Sequence, residues 1–284
     1  MPGVSRLSAF ALTLVLSSAF LHATWNALVK AAPDRALTLA AVALMHAVAG
    51  LVLILISPPP AMASWPSIAA STIIHYAYYA LLFQAYKLGD LSQVYPISRG
   101  MSPALVAFGA FLFVGETLSP MGWAGLAAVT GGICLLALQR GAAHADRRAV
   151  GVAVLLGLSI GAYSVADGIG VRLADTPTGY IGWLFLLESP IFFAIFWDRR
   201  RNAIKLDRRA FALGLIGGLF SVIAYAVVLY AKTIAPLGAV SAVRESSVII
   251  AAMIGLIFFK ERPVFGRLLS AAIVAAGVIA LAAS

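Results

Sequence analysis

Two arginines lie within apolar segments long enough to cross a membrane, where an isolated cation costs about 2.5 to 3.5 kcal/mol on insertion scales. Arg99 lies in VYPISRGMSPALVAFGAFLF, residues 94–113, and Arg244 occupies a second such segment. The polar residues that share a helical face with one of the two arginines are Ser92, Tyr95, Ser102, Ser241 and Glu245. A guanidinium group is a planar fork that can bond two oxygens, so both positions predict recognition of a carboxylate or phosphate group.

Aromatic and imidazole side chains form a second candidate group. His75 and Tyr79 are one turn apart in SIAASTIIHYAYYALLFQAYKLG, and Tyr78 adds a neighbouring hydroxyl. Such a wall would suit an amino acid with an apolar or aromatic side chain, although helix packing produces the same pattern. The first and sixth apolar segments add His22, Trp25, Asn26 and Tyr163. Trp25 could equally be an anchor at the membrane interface.

Three carboxylates within the apolar segments, Glu188, Glu245 and Asp167, are candidates for ion pairing or proton coupling. A carboxyl group desolvated at mid-membrane holds its proton more readily and can exchange it at physiological pH. Glu188 is the first candidate for that role, followed by His75 and Asp167, although Asp167 could be merely interfacial. The alternative is a structural ion pair, such as Arg244 with Glu188 or Glu245, that only holds helices together.

The segments that position these residues are ten predicted membrane helices of an all-α integral membrane protein. The chain has 284 residues, of which 62% are hydrophobic and 11% charged, against about 45–50% and 25% in soluble domains. Apolar runs of about 20 residues are typical of membrane spans. The predicted spans are 7–29, 37–56, 66–88, 91–114, 119–139, 149–171, 178–197, 209–231, 236–259 and 264–283. The single cysteine excludes a disulfide framework.

The distribution of Lys and Arg predicts the orientation of these spans. With the N-terminus outside, fifteen of the 20 cations fall on the cytoplasmic side, and only Arg6, Arg172 and Lys232 fall outside. This is a strong positive-inside bias, so both termini are predicted to be periplasmic. The net charge of +9 requires no nucleic-acid partner, because cytoplasmic loops facing anionic lipid account for it.

An internal repeat relates the two halves of the chain. A shift of 145 residues places Arg99 on Arg244 and Glu116 on Glu261, and a weaker shift of 142 places Lys30 on Arg172. We therefore predict a first five-helix repeat over 1–140 and a second over 141–284. Because five is odd, the second copy enters the membrane inverted, and inverted repeats typically form a transporter with a midplane site.

Three other polar residues are predicted to be structural. Glu116 and Glu261 directly precede the fifth and tenth spans, where the positive end of the helix dipole favours an anion. His46, alone in the second span, is predicted to be a satisfied packing histidine.

Nearly the whole chain resembles the EamA-type branch of the drug/metabolite transporter superfamily. The resemblance rests on ten helices in two halves and on GAFLFVGETLSPMGWAGLAAVTGG and GLIFFKERPVFGRLLSAAIVAAG at the ends of the fourth and ninth spans. It implies inverted repeats around a cavity lined by the first four helices of each half. Similar proteins export amino acids and other small metabolites, and relatives carry nucleotide sugars or triose phosphates. The intramembrane arginines are not part of the resemblance.

The sequence therefore predicts an inner-membrane secondary transporter that exports a small metabolite, an amino acid or a related zwitterion or organic anion, by alternating access. Alternatives are a carrier of phosphorylated metabolites or nucleotide sugars, and a non-transporting scaffold or lipid-handling subunit. The expected partners are the solute, the bilayer and protons, in a monomer or homodimer without cofactor. An enzyme is not predicted: the GLSIG stretch at 157–161 lies inside a helix, and all four histidines precede it, against the order a hydrolase triad needs.

Overall fold

The computed structural model describes residues 7–88, 91–139, 146–202, 205–257 and 264–284. Apart from one turn of 3₁₀ helix at Met62–Ser64, the regular structure of these residues is α-helical. The helices are α1 (Ala9–Ala31), α2 (Arg35–Ile56), α3 (Trp65–Leu88), α4 (Leu91–Val114), α5 (Pro120–Gln139), α6 (Arg147–Leu173), α7 (Pro177–Leu187), α8 (Ser189–Arg201), α9 (Arg208–Ile234), α10 (Leu237–Arg244), α11 (Ser247–Ile257) and α12 (Val264–Ala282).

These helices occupy the ten predicted spans and confirm the all-α membrane architecture. Eight helical segments of the described chain are long and apolar enough to cross a bilayer, with α7 and α8 counted together. The third and ninth spans, α3 and α10–α11, are not among the eight. α3 has 24 residues, and its polar side chains lower its mean hydropathy. The ninth span is divided into α10 with 8 residues and α11 with 11, each too short to cross a bilayer alone.

Polar caps start the helices where the apolar runs begin. The side chains of Ser8, Asp34 and Asp207 accept hydrogen bonds from backbone N–H groups three residues later, at 3.1, 3.1 and 2.7 Å. Each cap satisfies an N–H group that has no partner within its helix. We call the end of the bundle where α1 begins the proximal end, and the end where α1 stops the distal end.

The seventh and ninth spans are interrupted, which corrects the prediction of continuous helices there. α7 stops at Leu187 and α8 starts at Ser189, because Pro190 has no N–H group to continue the helix. The ninth span is interrupted between Arg244 and Ser247 by three-residue turns, although it has neither Pro nor Gly from residue 239 to 254. Contacts with other helices must therefore stabilise this second interruption.

Helices α5 and α12, the last of each half, pack together through glycines. A Cβ atom built on Gly125 would lie 2.7 Å from the backbone oxygen of Gly277, and one built on Gly132 would lie 3.1 Å from that of Ser270. The 145-residue shift exchanges these two contacts, since it places Gly125 on Ser270 and Gly132 on Gly277. Exchange of this kind is expected of two copies related by a two-fold axis.

An ion pair at the proximal end joins α4, α6 and α10. Arg172 donates to the Glu116 carboxylate at 2.6 Å and to the backbone oxygens of Lys232 and Ala235 at 2.7 and 2.8 Å. The second oxygen of Glu116 accepts from the Leu237 N–H group at 2.7 Å. The contacts of Glu116 are structural, in agreement with the prediction. The predicted place of action was the start of the fifth span, whereas the carboxylate contacts the start of α10. Glu261 lies outside the described residues.

Candidate functional site

A cavity lies between the two halves of the chain, with about 700 Å³ of space when the part open to solvent is included. It is lined from α1, α2, α3, α4, α6, α9 and α10, and by the residue between α7 and α8. Nine of the predicted site residues line it, namely His22, Trp25, His75, Tyr78, Tyr79, Arg99, Tyr163, Glu188 and Arg244. The structure therefore brings together side chains that are up to 222 residues apart.

One side of the cavity holds both guanidinium groups. Arg99 is 5% exposed and Arg244 is 8% exposed, so both are buried. Arg99 pairs with the carboxylate of Glu245 at 3.0 Å. The predicted alternative pairs of Arg244, with Glu188 or Glu245, are wrong, because the carboxylate of Glu245 lies against Arg99 and that of Glu188 lies against histidines.

The guanidinium group of Arg244 is held only loosely by its neighbours. One NH2 nitrogen lies 3.4 Å from Nδ1 of His22, and the group lies 5.6 Å from the ring centre of Tyr225. Its buried Nε has no hydrogen-bond partner within the described part of the chain. Trp25 donates to the same His22 Nδ1 at 3.2 Å, so this nitrogen is an acceptor and the neutral ring carries its proton on Nε2.

Glu188 and two histidines form an acidic side of the cavity. The Glu188 carboxylate lies 2.7 Å from Nδ1 of His46 and 4.0 Å from Nε2 of His75. Nε2 of His46 lies 3.0 Å from the hydroxyl of Ser221. Both nitrogens of His46 are satisfied, as predicted, but the residue lines the cavity and is more than a packing histidine.

Aromatic rings also line the cavity, and the ring of Tyr225 is next to both Arg244 and His75. His75 stacks on Tyr163 with ring centres 4.1 Å apart, and its edge meets Tyr225 at 6.2 Å. Tyr78 meets Tyr163 edge-on at 5.9 Å. The aromatic stripe of the third span therefore contributes both helix packing and cavity wall, which were alternatives in the sequence.

Among the described side chains, the remaining predicted site residues lie behind or beside the cavity lining. Ser102 and Ser241 are buried in α4 and α10. Asn26 donates from its side chain to the backbone oxygen of His22 at 2.7 Å. The side chain of Tyr95 lies outside the described residues. Glu245 is buried behind the lining and acts through Arg99.

Asp167 belongs to a separate buried cluster next to the cavity. It is fully buried, against the interfacial position the sequence allowed, and it accepts hydrogen bonds from the hydroxyls of Tyr180 and Tyr225. Lys232 is also buried and donates to the oxygen and hydroxyl of Ser164 at 2.8 and 2.9 Å. The sequence placed Lys232 in a loop on the outer side of the membrane, whereas the structure places it within α9, which extends three residues further than the predicted span.

Three polar lining residues were missed by sequence reasoning: His46 as a cavity residue, Ser221 and Tyr225. A signal for His46 was present, because the shift of 142 that aligns Lys30 with Arg172 also places His46 on Glu188. Residues related by the repeat can meet at the axis between the copies. Ser221 and Tyr225 are one turn apart on α9, and nothing in the sequence separates them from ordinary helix residues. Among the described residues, no cluster of His, Cys, Asp or Glu is suited to hold a metal ion.

Comparisons with known proteins agree with this architecture. The model of the EamA-like transporter family matches residues 9–138 and again residues 147–283. The chain is 37% identical over 75 residues to an uncharacterized transporter in the cobO 3' region of a Sinorhizobium species, a stretch covering 26% of the chain and 52% of that relative. The chain thus matches about half the length of that protein.

A solved crystal structure of a protein aligns with 95% of the chain at a TM-score of 0.73 and 16% identity, and the alignment covers 97% of that structure. At this identity the likeness concerns the fold alone. The family match confirms the predicted relationship to EamA-type proteins. It also confirms the prediction that the protein is a membrane transporter and not an enzyme. One match falls in each predicted half, and the boundary at residue 140 stays a prediction.

Proposed function

Because the chain belongs to the EamA-like transporter family, we propose that it is a secondary transporter for a small zwitterionic or anionic metabolite. The solute binds in the cavity between the two halves, and the halves rock about it to expose it to each side in turn. The observation that carries this proposal is Arg244, a buried cation that lines the cavity and has an unused donor.

Arg244 is suited to bind the anionic group of the solute. Glu245 is the carboxylate beside the two buried guanidinium groups, and it pairs with Arg99. Burial of a second cation costs several kcal/mol, and the ring contact of Arg244 with Tyr225 and its long contact with His22 offset only part of that. A carboxylate placed against the guanidinium would satisfy Nε together with one NH2 group. This bidentate geometry is the one that arginine forms best.

The opposite side of the cavity is suited to bind a cationic group. The carboxylate of Glu188 is 2% exposed and has only histidines as charge partners in the described structure. A primary ammonium group would find an anionic acceptor there, and the rings of Tyr78, Tyr163 and Tyr225 line the same cavity. An α-amino acid with an apolar or aromatic side chain matches this distribution of charge and surface.

The His46–Glu188 pair is also our candidate for proton coupling. With His46 neutral, its Nδ1–H group donates to the Glu188 carboxylate and the Ser221 hydroxyl donates to its Nε2. Binding of one proton neutralises the pair and weakens its attraction for an ammonium group. Glu188 would then bind either a proton or the solute, but not both. When the outside is more acidic, protons that enter on Glu188 would drive the solute outward.

The orientation and location in this proposal rest on the charge distribution. In this proposal the distal end is cytoplasmic, since it carries the loop cations, and both termini are periplasmic in a cell inner membrane. Of the three cations on the outer side, Lys232 is buried and Arg172 is paired with Glu116, so neither of these two needs to contact the lipid surface.

Flux through liposomes tests the proposal. We would reconstitute the full chain and measure uptake of radiolabelled amino acids, organic acids and phosphorylated metabolites. Arg244→Ala is compared with Arg200→Ala, which removes an exposed cation far from the cavity. We expect wild type to carry a carboxylate solute, Arg244→Ala to lower uptake at least thirtyfold, and Arg200→Ala to have little effect. Wild type that carries nothing would contradict transport and favour a scaffold or lipid-handling subunit.

Proton coupling is tested by repeating the assay with and without a pH gradient. We expect the gradient to stimulate wild type and to have no effect on Glu188→Gln, which keeps the shape of the side chain but cannot bind a proton. Ser270→Ala, a buried residue on α12 away from the cavity, is the control. Equal stimulation of the Glu188→Gln protein would contradict the role of this pair.

A further inference from the structure

Three consecutive residues at the interruption of the ninth span have buried polar atoms without hydrogen-bond partners in the described structure. They are Nε of Arg244, Oε2 of Glu245 and the hydroxyl of Ser246. Buried polar groups in proteins are nearly always paired, so a cluster of unpaired ones calls for a reason. A donor, an acceptor and a hydroxyl that are adjacent in the chain point to a site whose contacts change during function.

The backbone at this site is also unusual. Glu245 and Ser246 make three-residue turns, with N–H groups donating to Ala242 and Val243 at 3.1 and 3.0 Å. A stretch of 3₁₀ geometry within a helix often marks a functional hinge. Arg244, Glu245 and Ser246 are therefore carried by a segment that departs from regular α-helix between α10 and α11.

The two repeats differ in charge at the residue that follows the arginine. The shift that places Arg99 on Arg244 places Gly100 on Glu245, so only the second copy has a carboxylate after its arginine. That carboxylate uses Oε1 to bind Arg99 and leaves Oε2 unbonded. Both guanidinium groups line the same cavity, and Glu245 directly follows Arg244 in the chain.

We propose that Glu245 is an internal substitute for the carboxylate of the solute. When solute is bound, Glu245 neutralises Arg99 and the solute carboxylate neutralises Arg244. When solute leaves, the free oxygen of Glu245 turns to Arg244, and one carboxylate bridges both guanidinium groups. The unloaded protein can then reorient without burying an uncompensated cation, which would cost several kcal/mol. This inference rests on the proposed function and adds how the unloaded carrier returns.

The Glu245→Gln variant separates the two halves of the transport cycle. Loaded with one carboxylate, the variant has two guanidinium groups sharing one anion, which is the arrangement we infer for unloaded wild type. Unloaded, the variant has two guanidinium groups and no anion. Reorientation with solute should therefore survive the substitution, and reorientation without solute should fail.

Proteoliposomes allow both steps to be measured with the same radiolabelled amino acid. Counterflow, in which solute is present on both sides, needs only loaded reorientation, whereas net efflux also needs the unloaded return. We expect Glu245→Gln to lower net efflux at least tenfold and counterflow less than threefold. Equal losses in the two assays, or no loss in either, would overturn the inference.

Two further measurements keep the test decisive. If the Gln variant does not insert, Glu245→Asp retains the charge but shortens the reach, and it should still lower net efflux more than counterflow. Ser246→Ala, which leaves both charges in place, should lower the two rates equally. Wild type that carries none of the amino acids in either assay would refute the proposed function itself, an outcome distinct from equal losses in the variant.

Discussion

Substitution of Glu116 by Gln should weaken the proximal end of the bundle without touching the cavity. The carboxylate joins Arg172 on α6 to the first N–H group of α10, and the side chains of both charged residues are only 10% exposed. Glutamine keeps one acceptor oxygen but loses the charge. Arg172 then remains buried with only neutral acceptors, the glutamine oxygen and the two backbone oxygens of Lys232 and Ala235.

The expected loss of stability can be bounded from these contacts. Removal of one partner from a buried ion pair costs about 3–5 kcal/mol, and the neutral acceptor of Gln retains part of this. A loss of about 2–3 kcal/mol remains, similar to that of a hydrogen bond to a charged group. For a chain of this size, it should lower the melting temperature by roughly 5 °C.

A double-mutant cycle in detergent measures this contribution through tryptophan fluorescence during thermal unfolding. We would compare Glu116→Gln, Arg172→Met and the double variant with wild type, using the exposed Arg200→Gln as the control for a lost cation. The coupling energy between Glu116 and Arg172 should be about 2 kcal/mol. Losses that simply add in the double variant would refute the reasoning, because they would show that the two groups do not stabilise each other.

Three other substitutions test further contacts. Gly277→Leu should cost about 1–3 kcal/mol in the same melts, because its Cβ would lie 2.7 Å from a backbone oxygen of α5, whereas Gly131→Leu, with open space around it, should be neutral. Lys232→Met should lower the melting temperature by several degrees, as it leaves the buried Ser164 oxygen and hydroxyl without their donor. Tyr76→Phe should cost about 1 kcal/mol, because its hydroxyl donates to the Leu187 backbone oxygen freed at the α7–α8 interruption.

Much of the fold could be predicted because a bilayer imposes strong constraints on sequence. Every predicted span is occupied by helix, with most ends within three residues, since apolar runs in a membrane can hardly be anything else. The interruption at Glu188 could have been predicted from Pro190. The interruption after Arg244 could not, because no local residue causes it and only packing against other helices can stabilise it.

The candidate site was predictable in its residue types but not in its pairs. A charged residue is easily recognised in an apolar segment, and for this reason Arg99, Arg244 and Glu188 were predicted as site residues. Their partners depend on which helices meet, and His46 and Glu188 are 142 positions apart. The position of Lys232 depended on where its helix ends. The predicted span ended at residue 231, so Lys232 was interpreted as a loop residue, whereas α9 continues to Ile234 and includes it.

The central claim is that a wet cavity holds Arg244 as a receptor for an anionic group. Ala224 lines that cavity on α9 beside Tyr225, and Cys134 is the only native thiol to remove. In a Cys134→Ser background, we would measure how fast Ala224→Cys reacts with an anionic sulfonate thiosulfonate reagent and with its cationic ammonium counterpart. The account predicts faster reaction with the anionic reagent, and at least a tenfold fall in that preference when Arg244 is replaced by Gln. Failure of both reagents to react, or a preference for the cation in the presence of Arg244, would contradict it.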